Sequence, residues 1–333
     1  MKSLRLVALA GLATTAPAEP LRPVLTTPEI YRRGQQAGVE VLVEGRQSGS
    51  GWFASSNGLL VTAAHLFRKP PALVEVISSA GGRWPVMVLA VDRGHDVAVL
   101  KAEPRAGGFA VLPLAAQAPE VGEELHQFGA PLFRAGVLQS GKVARADTVF
   151  EFYGDQGDYV EIVHVSGMMQ GGTSGGPWLN QRGEVVGLQS GLMSLEGKPL
   201  GVAYLAPVPA IRALLENPRT AATPTLGLAA DHLWESPGEF LRKLPPRTQG
   251  LVVSRLNSGG PAERAGVKKQ DVLIAAEAKP LLRISDLLRL VRAKKSGETF
   301  ALTVLHPENG QTNDCQVALG RLEEDWIKRQ PRK

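Results

Sequence analysis

The sequence holds a single cysteine, Cys315, among 333 residues. No internal disulfide can form, and a Cys-rich metal site or a disulfide-stapled small fold is excluded. Aromatic residues make up only 5% of the chain, against 37 glycines and 24 prolines, a composition that favours turns and short strands over long helices. No apolar run reaches the roughly 20 residues that cross a bilayer. A concentrated charge of one sign is also missing. The net charge of +5 arises from residues 226–333, which hold 18 basic and 13 acidic side chains. Residues 19–225 are slightly acidic, with 17 against 19. A diffuse excess with few aromatics beside it is a solvated face, so nucleic acid is set aside as a partner.

What is present is ordinary for a globular chain: 44% hydrophobic and 21% charged residues. At about 150 residues per domain, two domains are expected. Lys2 and Arg5, the apolar stretch Leu6 to Ala13, and the small residues Ala16, Pro17 and Ala18 have the three-part pattern of a secretory leader. Residues 1–18 are therefore expected to be a signal peptide cleaved after Ala18, with a periplasmic or otherwise exported product. Residues 19–36 are read as an N-terminal extension.

Short apolar runs broken by glycine-rich turns follow, at 39–43, 59–61, 86–91, 97–100 and 185–188. They predict strands, and their number predicts barrels or a sandwich. Residues 211–216 read as a closing helix, and the Pro- and Thr-containing 217–225 as a linker. A second unit at 226–320 carries strand patterns at 226–228, 250–254 and 300–305. Ile284, Leu287, Leu288 and Val291 within 284–295 fall at helical spacing, with Ser285 as the expected N-cap and Gly297 beyond the end. Residues 321–333 form a charged tail.

Three segments carry chemistry. Thr62 to His65 follows a strand, Asp96 heads another, and Ser174 sits among Gly171, Gly172, Gly175 and Gly176. A serine hydroxyl becomes a nucleophile when a base removes its proton, and histidine titrates near the pH this requires. A buried carboxylate holds the imidazole in the useful tautomer. Glycines leave backbone N–H groups free to converge on an oxyanion. His65, Asp96 and Ser174 are thus the candidate triad, with Gly172 and Ser174 as oxyanion donors. Neither metal nor organic cofactor is needed.

The segments Gly49 to Phe53 with Gly58 to His65, Asp96 to Lys101, and Gly172 to Pro177 resemble the three signatures of HtrA/Deg-type serine proteases. Gly183 to Gly187 and Gly201 to Pro207 resemble the end of that protease domain. The resemblance implies a mainly β, chymotrypsin-like pair of six-stranded barrels over residues 37–216. Ser258 to Gly266 with Asp271 to Ile274 resembles an appended PDZ domain, an α/β module. There Leu226, Gly227 and Leu228 would form the peptide-binding loop, and a peptide would add as an extra strand. The sequence departs from the family pattern at Thr173 and Gln270. Tyr31 stands where relatives place trimer-forming aromatics, so a homo-oligomer is possible on that likeness.

In this fold the residue six before the nucleophile lies at the base of the specificity pocket, and here it is Met168. Without a carboxylate there, a buried basic side chain would be costly, so an apolar residue is expected before the cleaved bond. Ser190 resembles the position whose hydroxyl supports the buried aspartate. The resemblance implies an exported serine endopeptidase that degrades misfolded or damaged envelope proteins, its PDZ domain recruiting unfolded segments or C-termini. The alternatives are a non-catalytic peptide-binding chaperone on the same fold, and a dedicated regulatory processing protease.

Overall fold

The computed structural model describes residues 23–67, 69–78, 81–145 and 147–324. The expected signal peptide and most of the charged tail lie outside them.

The chain enters through helix α1 (Thr27–Ala37), inside the stretch expected to be a plain extension. Its start is fixed locally: the Thr26 amide and hydroxyl both donate to Glu29 Oε2, each over 2.7 Å, and satisfy one of the helix's orphan groups. Ile30, Gly34 and Ala37 recur at helical spacing and are the buried face. Gly34 lies so close to Phe128 that a Cβ there would come within 2.5 Å of the ring. Tyr31 packs edge-on against Phe128 of the same chain, ring centroids 6.0 Å apart. Its ring thus already has a partner within the chain.

Six antiparallel strands then close a barrel: β1 (Gly38–Val43), β2 (Arg46–Phe53), β3 (Leu59–Ala63), β4 (Val74–Ser78), β5 (Arg83–Asp92) and β6 (Val97–Ala102). The hydrogen-bonded order is β1-β2-β3-β6-β5-β4, with β4 returning to β1. Period-two patterning drives it, since Val39 and Val41 are buried in β1 while Glu40 between them is not.

A second set follows: β7 (Glu124–Gly129), β8 (Val137–Val143), β9 (Val149–Tyr153), β10 (Asp158–Ser166), β11 (Pro177–Leu179), β12 (Val185–Leu195) and β13 (Lys198–Pro207). Their order is β13-β12-β11-β7-β8-β10-β9, and β10 also pairs β13. Six strands therefore close a second ring, with β9 attached outside it. Trp52, Val61 and Val99 of the first barrel share one core with Leu179, Leu188 and Ala206 of the second. Helix α2 (Val208–Glu216) seals this core with Ile211 and Leu214. Each fully buried Val or Leu there contributes about 1.5–3 kcal/mol.

The C-terminal unit holds β14 (Pro224–Thr225), β15 (Leu228–His232), α3 (Gly238–Leu241), β16 (Leu251–Leu256), α4 (Pro261–Arg264), β17 (Val272–Ala276), β18 (Lys279–Pro280), α5 (Ile284–Arg292), β19 (Thr299–His306), β20 (Gln311–Ala318) and β21 (Gly320–Arg321). Strands β15-β16-β17-β19-β20 form its sheet. Leu287 and Val291 of α5 pack into its core with Phe300 and Val304. The N-cap of α5 is Arg283 rather than Ser285, because Asp286 reaches back to accept the Arg283 amide at 3.0 Å. The helix ends at Arg292, short of the expected Lys295, and Gly297 turns the chain with φ +88°.

Candidate active site

His65 sits on a single 3₁₀ turn (Ala64–Leu66) directly after β3, and Asp96 in the turn before β6. Because β3 and β6 are neighbours in the first barrel, the two residues meet. Asp96 has φ +59°, a left-handed conformation uncommon for a non-glycine residue. That turn aims its carboxylate at the histidine. Oδ1 accepts the His65 backbone N–H at 2.8 Å, Oδ2 accepts Nδ1–H at 2.7 Å, and the Asp96 carbonyl accepts the Ala64 amide at 3.1 Å. Asp96 is fully buried. Donation from Nδ1 fixes the tautomer that leaves Nε2 as the basic ring nitrogen.

Ser190, in β12, also donates to Asp96 Oδ2, at 2.5 Å. The same serine is 2.7 Å from the hydroxyl of Tyr153, which the sequence reading did not single out. Burial pushes the Tyr153 phenol well above its ordinary range, and the nearby Asp96 charge adds to the effect.

Ser174 lies in the loop between β10 and β11, where Gly172 has φ +96° and Gly175 φ +87°. A Cβ on Gly172 would lie 2.3 Å from the Ala130 carbonyl oxygen, and one on Gly175 2.2 Å from that of Ser50. Only glycine fits either position. Ser50, buried in β2, organises the loop from across the barrel interface. Its amide donates to the Ser174 carbonyl at 2.7 Å, and its hydroxyl donates to the Gly172 carbonyl at 2.8 Å while accepting the Ala130 amide at 3.1 Å. The Gly171 carbonyl accepts the Leu132 amide at 2.7 Å. With these carbonyls held, the Gly172 and Ser174 amides have no protein acceptor among the described residues. They are the two amides assigned above as oxyanion donors.

His65 and Ser174 line one cleft of about 430 Å³. Ser190, Leu192, Met193 and Tyr204 form further walls, and β9 with the turn after it brings Glu151 and Asp155. Met168 does not line it. It is 54% exposed, and its carbonyl accepts the Gln139 side chain at 3.1 Å, while Met169 is buried in the second barrel's core. The apolar walls thus come from β12 and β13, because the turn before the nucleophile carries the Met168 side chain outward. Glu151 is engaged by His164 Nε2 at 3.0 Å.

In the C-terminal unit, Leu226 and Leu228 are buried in the core and Gly227 turns the chain with φ +68°. The Gly227 amide is taken by Thr225 Oγ1 at 2.8 Å, and Thr225 in turn donates to the Asp158 carboxylate of the second barrel. Two residues into β15, the Tyr159 hydroxyl contacts both the amide and the carbonyl of Ala230. The candidate loop and the strand beside it face the barrels, not open solvent.

Residues 49–188 match the trypsin-like peptidase domain family, and residues 237–319 match the PDZ domain family. The chain thus combines a trypsin-like peptidase domain with a PDZ domain, and its relatives are named as DegP-like and HtrA serine proteases. A probable periplasmic DegP-like serine endoprotease from Rhizobium meliloti is 27% identical over 298 residues, covering 88% of this chain and 57% of its own. The putative serine protease HhoA of Synechocystis is 25% identical, covering 81% of this chain and 70% of its own. The chain therefore spans little more than half of the DegP-like relative. Among solved structures, the serine endoprotease from Yersinia pestis covers 90% of this chain and 99% of its own at TM-score 0.58 and 21% identity. The HtrA-type protease AlgW with decapeptide covers 89% and 99% at TM-score 0.63 and 18% identity. Both share the fold of this chain. Among the described residues no helix is long and apolar enough to cross a membrane.

Proposed function

We propose that the protein is an exported, periplasmic serine endopeptidase that hydrolyses unfolded or damaged envelope proteins. Ser174 Oγ attacks the peptide carbonyl while His65 Nε2 takes its proton. Asp96 holds Nδ1–H and stabilises the imidazolium that forms. The Gly172 and Ser174 amides receive the oxyanion, a contribution of roughly 100–1000-fold per donor. His65 then protonates the leaving amine, and water, activated by the same histidine, hydrolyses the acyl-enzyme. Leu192, Met193 and Tyr204 favour an apolar side chain before the cleaved bond.

The observation that carries this reading is the buried Asp96–His65 pair opening onto the cleft that also holds Ser174. The PDZ domain would recruit substrate C-termini along β15 once the Tyr159 and Asp158 contacts open. The test is fluorophosphonate labelling beside casein digestion. Labelling and cleavage in the wild type, both lost in Ser174→Ala, are expected. An unlabelled, folded wild-type protein that still holds peptides would instead indicate a chaperone. Cleavage of one C-terminal sequence but not casein would indicate a dedicated processing protease.

A further inference from the structure

We propose that Tyr153 is a positioning residue for the Asp96–His65 pair, acting through Ser190; this rests on the hydrolytic reading above. The direction of each hydrogen bond follows from the groups present. A carboxylate only accepts, so Ser190 gives its one hydroxyl proton to Asp96 Oδ2 over 2.5 Å. The Tyr153 hydroxyl, 2.7 Å from the Ser190 oxygen, must then be the donor to it. With its phenol pushed well above 10 by burial, Tyr153 keeps that proton wherever histidine titrates. The result is a chain of aligned dipoles, Tyr153 to Ser190 to Asp96, with positive ends towards the same carboxylate oxygen that accepts from His65.

The site is built to hold this phenol. A Cβ on Gly191 would approach the Tyr153 hydroxyl to 2.5 Å, so the glycine following Ser190 leaves the room it occupies. The ring itself packs against Tyr204 at 6.3 Å, beside Val160 and Ile162. Packing fixes the ring and Ser190 fixes the hydroxyl.

Two consequences separate this role from simple space-filling. Donation along the chain spreads part of the Asp96 charge away from His65, so removing the phenol hydroxyl lets that charge act more fully on the imidazolium. The coupling also passes through Ser190, so it vanishes when Ser190 is absent.

The experiment is an NMR titration of His65 in the full chain, labelled with ¹⁵N-histidine and carrying Ser174→Ala to prevent self-cleavage. Adding Tyr153→Phe is expected to raise the His65 midpoint by about 0.5 pH unit, the scale of one polarised hydrogen bond. Ser190→Ala raises it as well, and adding Tyr153→Phe to Ser190→Ala moves it no further. Incorporating 3-fluorotyrosine at 153, a stronger donor of nearly the same size, moves the midpoint down and serves if Tyr153→Phe folds poorly. With Ser174 intact, Tyr153→Phe lowers kcat/KM about threefold on the acid side of the profile, as the raised midpoint requires. An unmoved His65 midpoint, or additive shifts in the double variant, overturns the proposal. The titration needs no turnover, so a Ser174 that resists fluorophosphonate would defeat the hydrolytic reading and still leave the Tyr153 coupling measurable.

Discussion

The hydroxyl of Tyr159, in the peptidase domain, lies 3.0 Å from both the amide nitrogen and the carbonyl oxygen of Ala230 in the C-terminal unit. Ala230 is on β15, whose other edge pairs with β16. A tyrosine side chain thus satisfies the backbone groups that an added peptide strand would use. Asp158, the residue before it, brings a buried carboxylate to Thr225 at the candidate peptide-binding loop. Burial raises the pKa of this carboxylate above the usual range. The peptide binding proposed at β15 would therefore compete with domain docking.

Removing the Tyr159 hydroxyl should shift that competition. Two hydrogen bonds, each contributing about 1 kcal/mol net, are lost from the docked state, while the free PDZ edge is unaltered. Tyr159→Phe is expected to tighten binding of a labelled peptide with an apolar C-terminus by up to about 30-fold. Fluorescence anisotropy on the Ser174→Ala chain reads this directly. Equal affinity in both proteins means that the Tyr159 contact does not gate the strand.

Ser50 is the residue whose loss should separate loop geometry from triad geometry. Ser50 is 1% exposed and its hydroxyl bonds Gly172 and Ala130, so Ser50→Ala leaves a buried carbonyl and a buried amide unsatisfied. Freed of this anchor, the Gly172 carbonyl can turn, and the loop that carries the proposed oxyanion amides loses one of its constraints. We expect kcat to fall by roughly 100-fold, the scale of one lost oxyanion donor, and the protein to lose about 1–3 kcal/mol of stability. The Asp96–His65 hydrogen bond should persist, visible as an unchanged low-field proton resonance. Full activity in Ser50→Ala would show that the loop is held by its glycines alone.

The Ser50 and Tyr153 contacts also mark where the sequence stopped being readable. Strands at 39–43, 59–61, 86–91, 97–100 and 185–188 announce themselves by local patterning, and each lies within an observed strand. His65, Asp96 and Ser174 stand out because each is embedded in a short segment whose neighbours reveal its setting. Ser50 meets Gly172 across 122 residues, and Tyr153 meets Ser190 across 37. No local pattern encodes such a meeting. The signals available were indirect, namely glycines at 49 and 191 where another backbone or a phenol approaches closely. Met168 misled for a related reason. Position relative to the nucleophile places the backbone, whereas rotation of the turn decides which way the side chain points.

The last expectation concerns pH and the charges between the two domains. His95, next to the candidate acid Asp96, is 2.8 Å from Asp92 through Nδ1 and 3.5 Å from Glu161 through Nε2. Burial opposes its charge, but the two carboxylates prevail and push its pKa up to about 10. Bonding to His95 lowers Glu161 in turn, and Asp92 is lowered by His95 despite its own burial. Arg292 of α5 adds a second positive charge near both, and donates to the Tyr159 carbonyl at 2.8 Å. A histidine raised in the folded state stabilises fully below its unfolded pKa of about 6.5 and loses that contribution as pH rises. The loss should thus run from about pH 6.5 to about 10. The carboxylates, lowered on folding, withdraw their contribution only on acidification below about pH 4. Urea midpoints should accordingly fall between pH 7 and 10 in the wild type, and the slope should flatten in His95→Asn. A His95→Asn protein with the wild-type slope would place the alkaline sensitivity elsewhere in the fold.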